Sequence, residues 1–197
     1  PNWMKDDLLD AVDELPKVMP HFELPIQAGD DAVLHNMRRG YSVEQFMQTV
    51  EKIRSCFSTV SIATDLIVGF PGESEAQFNH SVAVLKAMRP DITHVARYSP
   101  RPGTLSALTM PDDIPDEEKL RRFRVIETLQ EQITSEINQA YLGAKVPVLF
   151  EEKNKDRWRG RTSSNKLVFA ESAQDLRCQV CNGEITWAGP WSMIAVV

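Results

Sequence analysis

The sequence predicts a mixed α/β protein, a parallel βα series followed by a small all-β barrel. Three observations carry this. Apolar strands alternate with amphipathic helices through the first two-thirds of the 197 residues. At Ala63–Glu73 an apolar strand runs straight into a glycine-rich turn and then into a helix. Beyond Gly143 the helical period gives way to short apolar runs separated by polar turns.

Taken in order, Asp6 to Leu15 reads as a helix with Leu8, Leu9, Val12 and Leu15 on one face. His21 to Ile26 reads as a short strand. A helix then runs from Asp30, a good N-cap, to Arg39, with Gly40 just past its end. Ser42-Val43-Glu44-Gln45 is a capping box that opens a helix to about Cys56. The next strand runs from about Val60 to Val68, and Gly69 and Gly72 let backbone amides approach a bound group closely. Ser74 to Gln77 is a second capping box, and its helix buries Phe78, Val82 and Leu85. Ile92 to Tyr98 forms the third strand. Such a series makes the sheet parallel with right-handed crossovers. Ligands of open α/β folds bind where a strand C-terminus abuts a helix N-terminus, although an ordinary βα loop has the same composition.

Asp113-Ile114-Pro115 opens a long helix with Pro115 at or near its first position. Leu120, Phe123, Ile126, Ile133 and Ile137 give it an apolar stripe, and Gly143 ends it. Short strands are expected at Val146–Phe150, Lys166–Ala170, Gly183–Trp187 and Ser192–Val197, with a hairpin around residues 153–161. Only three parallel strands are visible, whereas a closed eight-stranded barrel takes about 250 residues. The chain therefore reads as a fragment, incomplete at its N-terminus.

Composition is that of a water-soluble globular chain, with 42% hydrophobic and 25% charged residues. No apolar run approaches the roughly 20 residues that span a bilayer, and no signal peptide is visible, so no membrane role is expected. Three cysteines do not make a disulfide framework, which favours a reducing, cytoplasmic setting. The net charge of -6 is uneven: residues 1–140 carry 14 Lys+Arg against 22 Asp+Glu, residues 141–197 carry 8 against 6. The C-terminal part is thus the better candidate for touching a polyanion.

Four segments occur in a telling order: Leu24-Pro-Ile-Gln-Ala-Gly-Asp30, Met37-Arg-Arg-Gly-Tyr-Ser42, Thr64-Asp-Leu-Ile-Val-Gly-Phe-Pro-Gly-Glu73 and Tyr98-Ser-Pro-Arg-Pro-Gly-Thr104. Together they resemble the radical S-adenosylmethionine methylthiotransferases, and the tail with Gly160-Arg-Thr162 and Asn165-Lys-Leu-Val168 resembles that family's RNA-binding TRAM barrel. The resemblance implies half of a radical SAM βα barrel in residues 1–136 and a TRAM domain in residues 137–197. It also implies two [4Fe-4S] clusters in the parent enzyme, on cysteine sets that this chain does not match. Its cysteines are Cys56, Cys178 and Cys181, so the segment alone is expected to be inert. Cys178-x-x-Cys181 has no nearby partners for a structural zinc site, and His21 and His94 read as structural histidines.

The same motifs imply site roles. Gln27 would hydrogen-bond S-adenosylmethionine, Arg39 would pair with its carboxylate, and Asp65 would accept from the ribose hydroxyls. The turn from Gly69 to Glu73 and the backbone at Ser99 would pack around the adenine. From residue type alone, Arg39 also reads as a solvated charge near a helix C-terminus. Asp65 carries its own signal, because a carboxylate within an apolar strand is costly unless satisfied. Arg101 either meets substrate phosphate or cofactor, or decorates a proline-stiffened connection. Lys153, Lys155, Arg157, Arg159, Arg161 and Lys166, with Trp158 among them, read as an RNA contact, charges for phosphates and a ring for a base; a solvated hairpin is the plainer alternative.

By this resemblance the intact enzyme would add a methylthio group to carbon 2 of an N6-modified adenosine, N6-dimethylallyladenosine, next to the anticodon of tRNA. One S-adenosylmethionine would supply the methyl and another the 5′-deoxyadenosyl radical, with an electron donor serving the clusters. Family variants acting on threonylcarbamoyladenosine or on a ribosomal-protein aspartate stay open, as does a non-catalytic RNA-binding protein on the same scaffold.

Overall fold

The computed structural model describes residues 4–197. Its first part is a three-stranded parallel sheet, and its last part is a closed five-stranded barrel. Helix α1 (Asp6–Glu14) buries Leu9 and half-buries Val12. Leu8 and Leu15 stay exposed, so the stripe is narrower than its sequence spacing. Strand β1 (His21–Glu23) is only three residues long. The chain beyond it follows the sheet as far as Gln27, which forms an isolated parallel bridge to Leu66.

Helix α2 (Asp31–Asn36) is capped by the Asp30 side chain, as expected, but it ends before Arg39. Arg38, rather than Gly40, takes the left-handed conformation that stops it (φ 57°), and the Arg39 amide donates to the Leu34 carbonyl. Helix α3 (Val43–Cys56) and helix α4 (Glu75–Met88) open with complete capping boxes at Ser42 and Ser74. Strand β2 (Ser61–Val68) lies between β1 and β3 (Ile92–Arg97), parallel to both. Phe46, Ile53, Ile62, Leu66, Phe78, Leu85 and Ile126 are completely buried or nearly so in one core.

A short helix α5 (Leu105–Thr109) follows the Tyr98–Thr104 loop, with Thr104 as its cap. It has no apolar stripe to announce it. The long helix α6 (Asp116–Gln139) has Pro115 at its N-cap, next to its first position as expected. Its buried face is mostly polar: Lys119, Arg122, Gln130, Thr134 and Asn138 flank Ile126 and Ile133.

The barrel has five strands, the expected hairpin adding β5 to the four others: β4 (Lys145–Asn154), β5 (Arg157–Thr162), β6 (Leu167–Ala170), β7 (Gln179–Ala188) and β8 (Met193–Val196). They close in the order β4-β5-β6-β8-β7 around Val148, Phe150, Trp158, Val168, Ile185 and Met193. The barrel meets the sheet at the N-terminal ends of its strands. Lys166 Nζ stands 2.6 Å from the Asp91 carboxylate, and Asn165 donates to His21 across 3.2 Å. The Asn138 amide at the end of α6 donates to the carbonyls of Gly189 and Pro190.

Candidate functional site

The opposite, C-terminal ends of the strands open into a cavity of about 610 Å³. Gln27, Arg39, Asp65, Ser99 and Arg101 all line it, together with Arg38, Ile67, Phe70, Arg97 and Tyr98. Neighbouring strand ends therefore bring the expected amide, carboxylate and guanidinium side chains to one opening, where parallel sheets bind ligands.

The local backbone explains how. Gln27 is non-glycine and left-handed (φ 70°), yet its amide donates to the Asp65 carbonyl and its carbonyl accepts from the Ile67 amide. A strained residue held by two ladder bonds is the kind of feature that persists at functional sites. Asp65 is half-buried, and among the described residues no side chain hydrogen-bonds its carboxylate. Its free acceptors suit a diol, which offers two hydroxyl donors.

Gly69 and Glu73 are placed elsewhere. Both sit behind the cavity wall, where Glu73 Oε2 accepts from the Gly69 amide at 2.7 Å and from Arg122 at 2.8 Å. Burial pushes the Glu73 carboxyl up, against the pull of the Gly69 amide and Arg122. Only Phe70 of this turn reaches the cavity, with its ring edge-on to Tyr98 at 5.2 Å. Lys119 packs its stem against Gly69 and its ammonium on Asp112 at 2.6 Å, so α6 braces the turn from behind. On the other side, Asp30 ties α2 to α4 through His80 (2.8 Å) and Gln77 (3.0 Å). Burial alone would raise the Asp30 carboxyl, but the hydrogen bonds from His80, Val33, Gln77 and Ala32 hold it below its usual value.

The basic residues of the barrel separate in the same way. Lys153 and Arg157 are exposed, while Arg159 and Arg161 are half-buried. Arg157 and Arg159 pair with Glu171 and Glu152. Trp158, 3% exposed, is a core residue and not a surface ring for a base. The alternation of β5 turns it inward between Arg157 and Arg159. Lys166 is also buried, on Asp91 at the junction with the sheet. His21 is satisfied by Ser61 and Asn165, and His94 lies exposed on β3.

Sequence reasoning missed Arg38 and Arg97 in the cavity and Lys119 and Arg122 behind it. The last two carry a signal in the sequence: they fall on the same face of α6 as Ile126, at helical spacing, although their charge argues for the solvent face.

Residues 1–85 match the model of the radical SAM superfamily. The resemblance to the methylthiotransferases extends over the whole chain. It is 44% identical over 200 residues to a tRNA-2-methylthio-N(6)-dimethylallyladenosine synthase from Roseiflexus sp. (strain RS-1), covering 100% of the chain and 42% of the relative. The same-named protein of Dehalococcoides mccartyi (strain CBDB1) is 43% identical, over 99% of the chain and 47% of the relative. That of Neisseria meningitidis serogroup B (strain ATCC BAA-335 / MC58) is 36% identical, over 98% and 44%. The chain thus spans less than half the length of these curated relatives. Radical SAM enzymes use S-adenosylmethionine and an iron–sulfur cluster. The cavity's donor set fits the former. For a cluster the residues do not fit: among the described residues no group of three or more His, Cys, Asp or Glu side chains could hold a metal ion. No helix among the described residues is long and apolar enough to cross a membrane.

Proposed function

We propose that this chain is the cofactor-cradling part of a tRNA methylthiotransferase, acting on carbon 2 of N6-dimethylallyladenosine beside the anticodon. The observation that carries it is the meeting of Gln27, Asp65 and Arg39 in one cavity at the strand ends. Arg39 offers a planar fork for the methionine carboxylate, and no described side chain pairs with it. Asp65 accepts from the ribose hydroxyls, Gln27 and Ser99 contribute polar contacts, and Phe70 and Tyr98 supply apolar surface for the adenine. Gly69 and Glu73 act at one remove, by shaping the turn that presents Phe70.

Gln27, Arg39 and Asp65 would hold S-adenosylmethionine, of which one molecule would supply the methyl group and another the radical that an unreactive aromatic C–H requires. Residues 1–136 form part of the radical SAM domain and residues 137–197 a TRAM domain, where Lys153, Arg157, Arg159 and Arg161 take RNA phosphates. The whole enzyme works in the cytoplasm with tRNA and an electron donor.

Mass spectrometry of tRNA from a strain lacking the gene tests this reading. Loss of the 2-methylthio group from N6-dimethylallyladenosine is expected, and an unchanged level contradicts it.

A further inference from the structure

The cavity holds more positive charge than its cofactor can use. Arg38, Arg39, Arg97 and Arg101 all line it, and Asp65 is the only carboxylate among its lining residues. All four arginines are exposed. Among the described residues none of their guanidinium groups is in an ion pair or side-chain hydrogen bond. This happens in a chain of net charge -6, in which Arg89, Arg121, Arg122, Arg157, Arg159 and Arg161 have side-chain partners and Arg54 donates to the Arg89 carbonyl; outside the cavity, among the described residues, Arg124 and Arg177 alone lack such a partner.

S-adenosylmethionine carries a sulfonium, an ammonium and one carboxylate, so it is itself cationic. Its single carboxylate occupies one guanidinium fork, and a second cation beside the sulfonium is repelled. Three arginines are left over. The backbone of Arg38 supports a specific placement, since a non-glycine residue in the left-handed region is held there against its preference. Arg97 ends β3, and Arg101 sits in the loop stiffened by Pro100 and Pro102, so each of the three comes from a different element around the opening.

We infer that Arg38, Arg97 and Arg101 form a phosphate-binding collar that grips the RNA backbone on both sides of the base entering the cavity. The inference rests on the reading of the cavity as an S-adenosylmethionine site. Guanidinium forks match phosphate oxygens bidentately. A base that enters the cavity, as when enzymes extract a nucleotide from its stack, brings its flanking phosphates to the rim. An acidic peptide is the competing polyanion. Three separate arginines around one opening fit the evenly spaced single charges of a nucleic-acid strand better.

Binding of a fluorescent RNA stem–loop to the intact protein, followed between roughly 50 and 200 mM salt, tests the collar. Each of Arg38→Gln, Arg97→Gln and Arg101→Gln is expected to weaken RNA binding about fivefold and to flatten the salt slope by about 0.7 to 1, one phosphate contact each. Titration calorimetry with S-adenosylmethionine should give the wild-type affinity for all three. The collar is overturned if RNA affinity and salt slope are unchanged. Cofactor affinity falling in step with RNA affinity also overturns it, as does an acidic peptide displacing the RNA from wild type but not from the variants. Failure of the cavity reading looks different: the wild-type protein then does not bind S-adenosylmethionine at all.

Discussion

Arg122 and Glu73 are the pair on which the cavity wall depends. Their side chains are 5% and 1% exposed, and the Glu73 carboxylate also holds the Gly69 amide that opens the turn. Removing one partner strands a buried charge, which is far costlier than replacing both with neutral groups. Arg122→Met is expected to cost about 3 kcal/mol or more in urea unfolding, and Glu73→Gln combined with Arg122→Met to recover most of it. If the single and double variants are equally stable, the pair is not what holds the turn. Glu73 also shows where reading residue by residue fell short. The resemblance puts it in the turn that packs around the adenine. The partner that claims it lies 49 positions away, where no local pattern points to it.

At the scale of elements, the helices and strands were legible wherever short-range chemistry decides them. The two capping boxes and the alternation of β and α segments appear as expected, because caps and periodicity are local. Ser74→Ala should cost about 1 kcal/mol in thermal or urea unfolding, by freeing the Gln77 amide at the start of α4. A cost near zero means the capping box does not carry that helix start. Helix ends were less legible. Arg38 stops α2 in a conformation for which glycine is the usual residue, so Gly40 drew the boundary to the wrong place. Short α5 and the polar face of α6 were missed because their partners are tertiary. Gln130, for example, is fixed by Thr93 and the Pro90 carbonyl. Gly69 combines two constraints: its φ is +73° and a Cβ there overlaps the Lys119 side chain. Gly69→Ala is expected to destabilise the protein by more than about 1 kcal/mol, read in the same unfolding assay, and a neutral result contradicts the bracing of this turn by α6.

Over the whole molecule, the sheet and barrel are joined at one end of the strands and the cavity opens at the other. Helix α6, about 36 Å long, touches both, with Lys119 and Arg122 at the cavity wall and Asn138 at the barrel. The junction is a charged one. Lys166→Met leaves Asp91 buried without its cation, at a cost of about 3 kcal/mol, and calorimetry should then resolve separate melting of barrel and sheet. A single unshifted transition argues against that coupling. His21 adds a pH dependence, since burial lowers its pKa below 6.5. A histidine kept neutral in the folded state stabilises fully above its ordinary value, and that contribution is lost as pH falls from there toward the lowered one. The melting temperature should therefore drop below about pH 6.5, less so in His21→Asn; equal slopes in both proteins contradict the assignment. None of this junction was visible in the sequence. The sequence pattern points Lys166 toward RNA and His21 toward a structural role, and only the fold sets them side by side on Asp91 and Asn165.

Everything functional turns on whether the opening at the strand ends accepts a sulfonium nucleoside. Calorimetric titration of the intact protein with S-adenosylmethionine, wild type against Asp65→Asn, asks this directly. The account predicts saturable binding that weakens about tenfold or more when the ribose loses its charged acceptor. Equal affinities in the two proteins, or none in the wild type, contradict it.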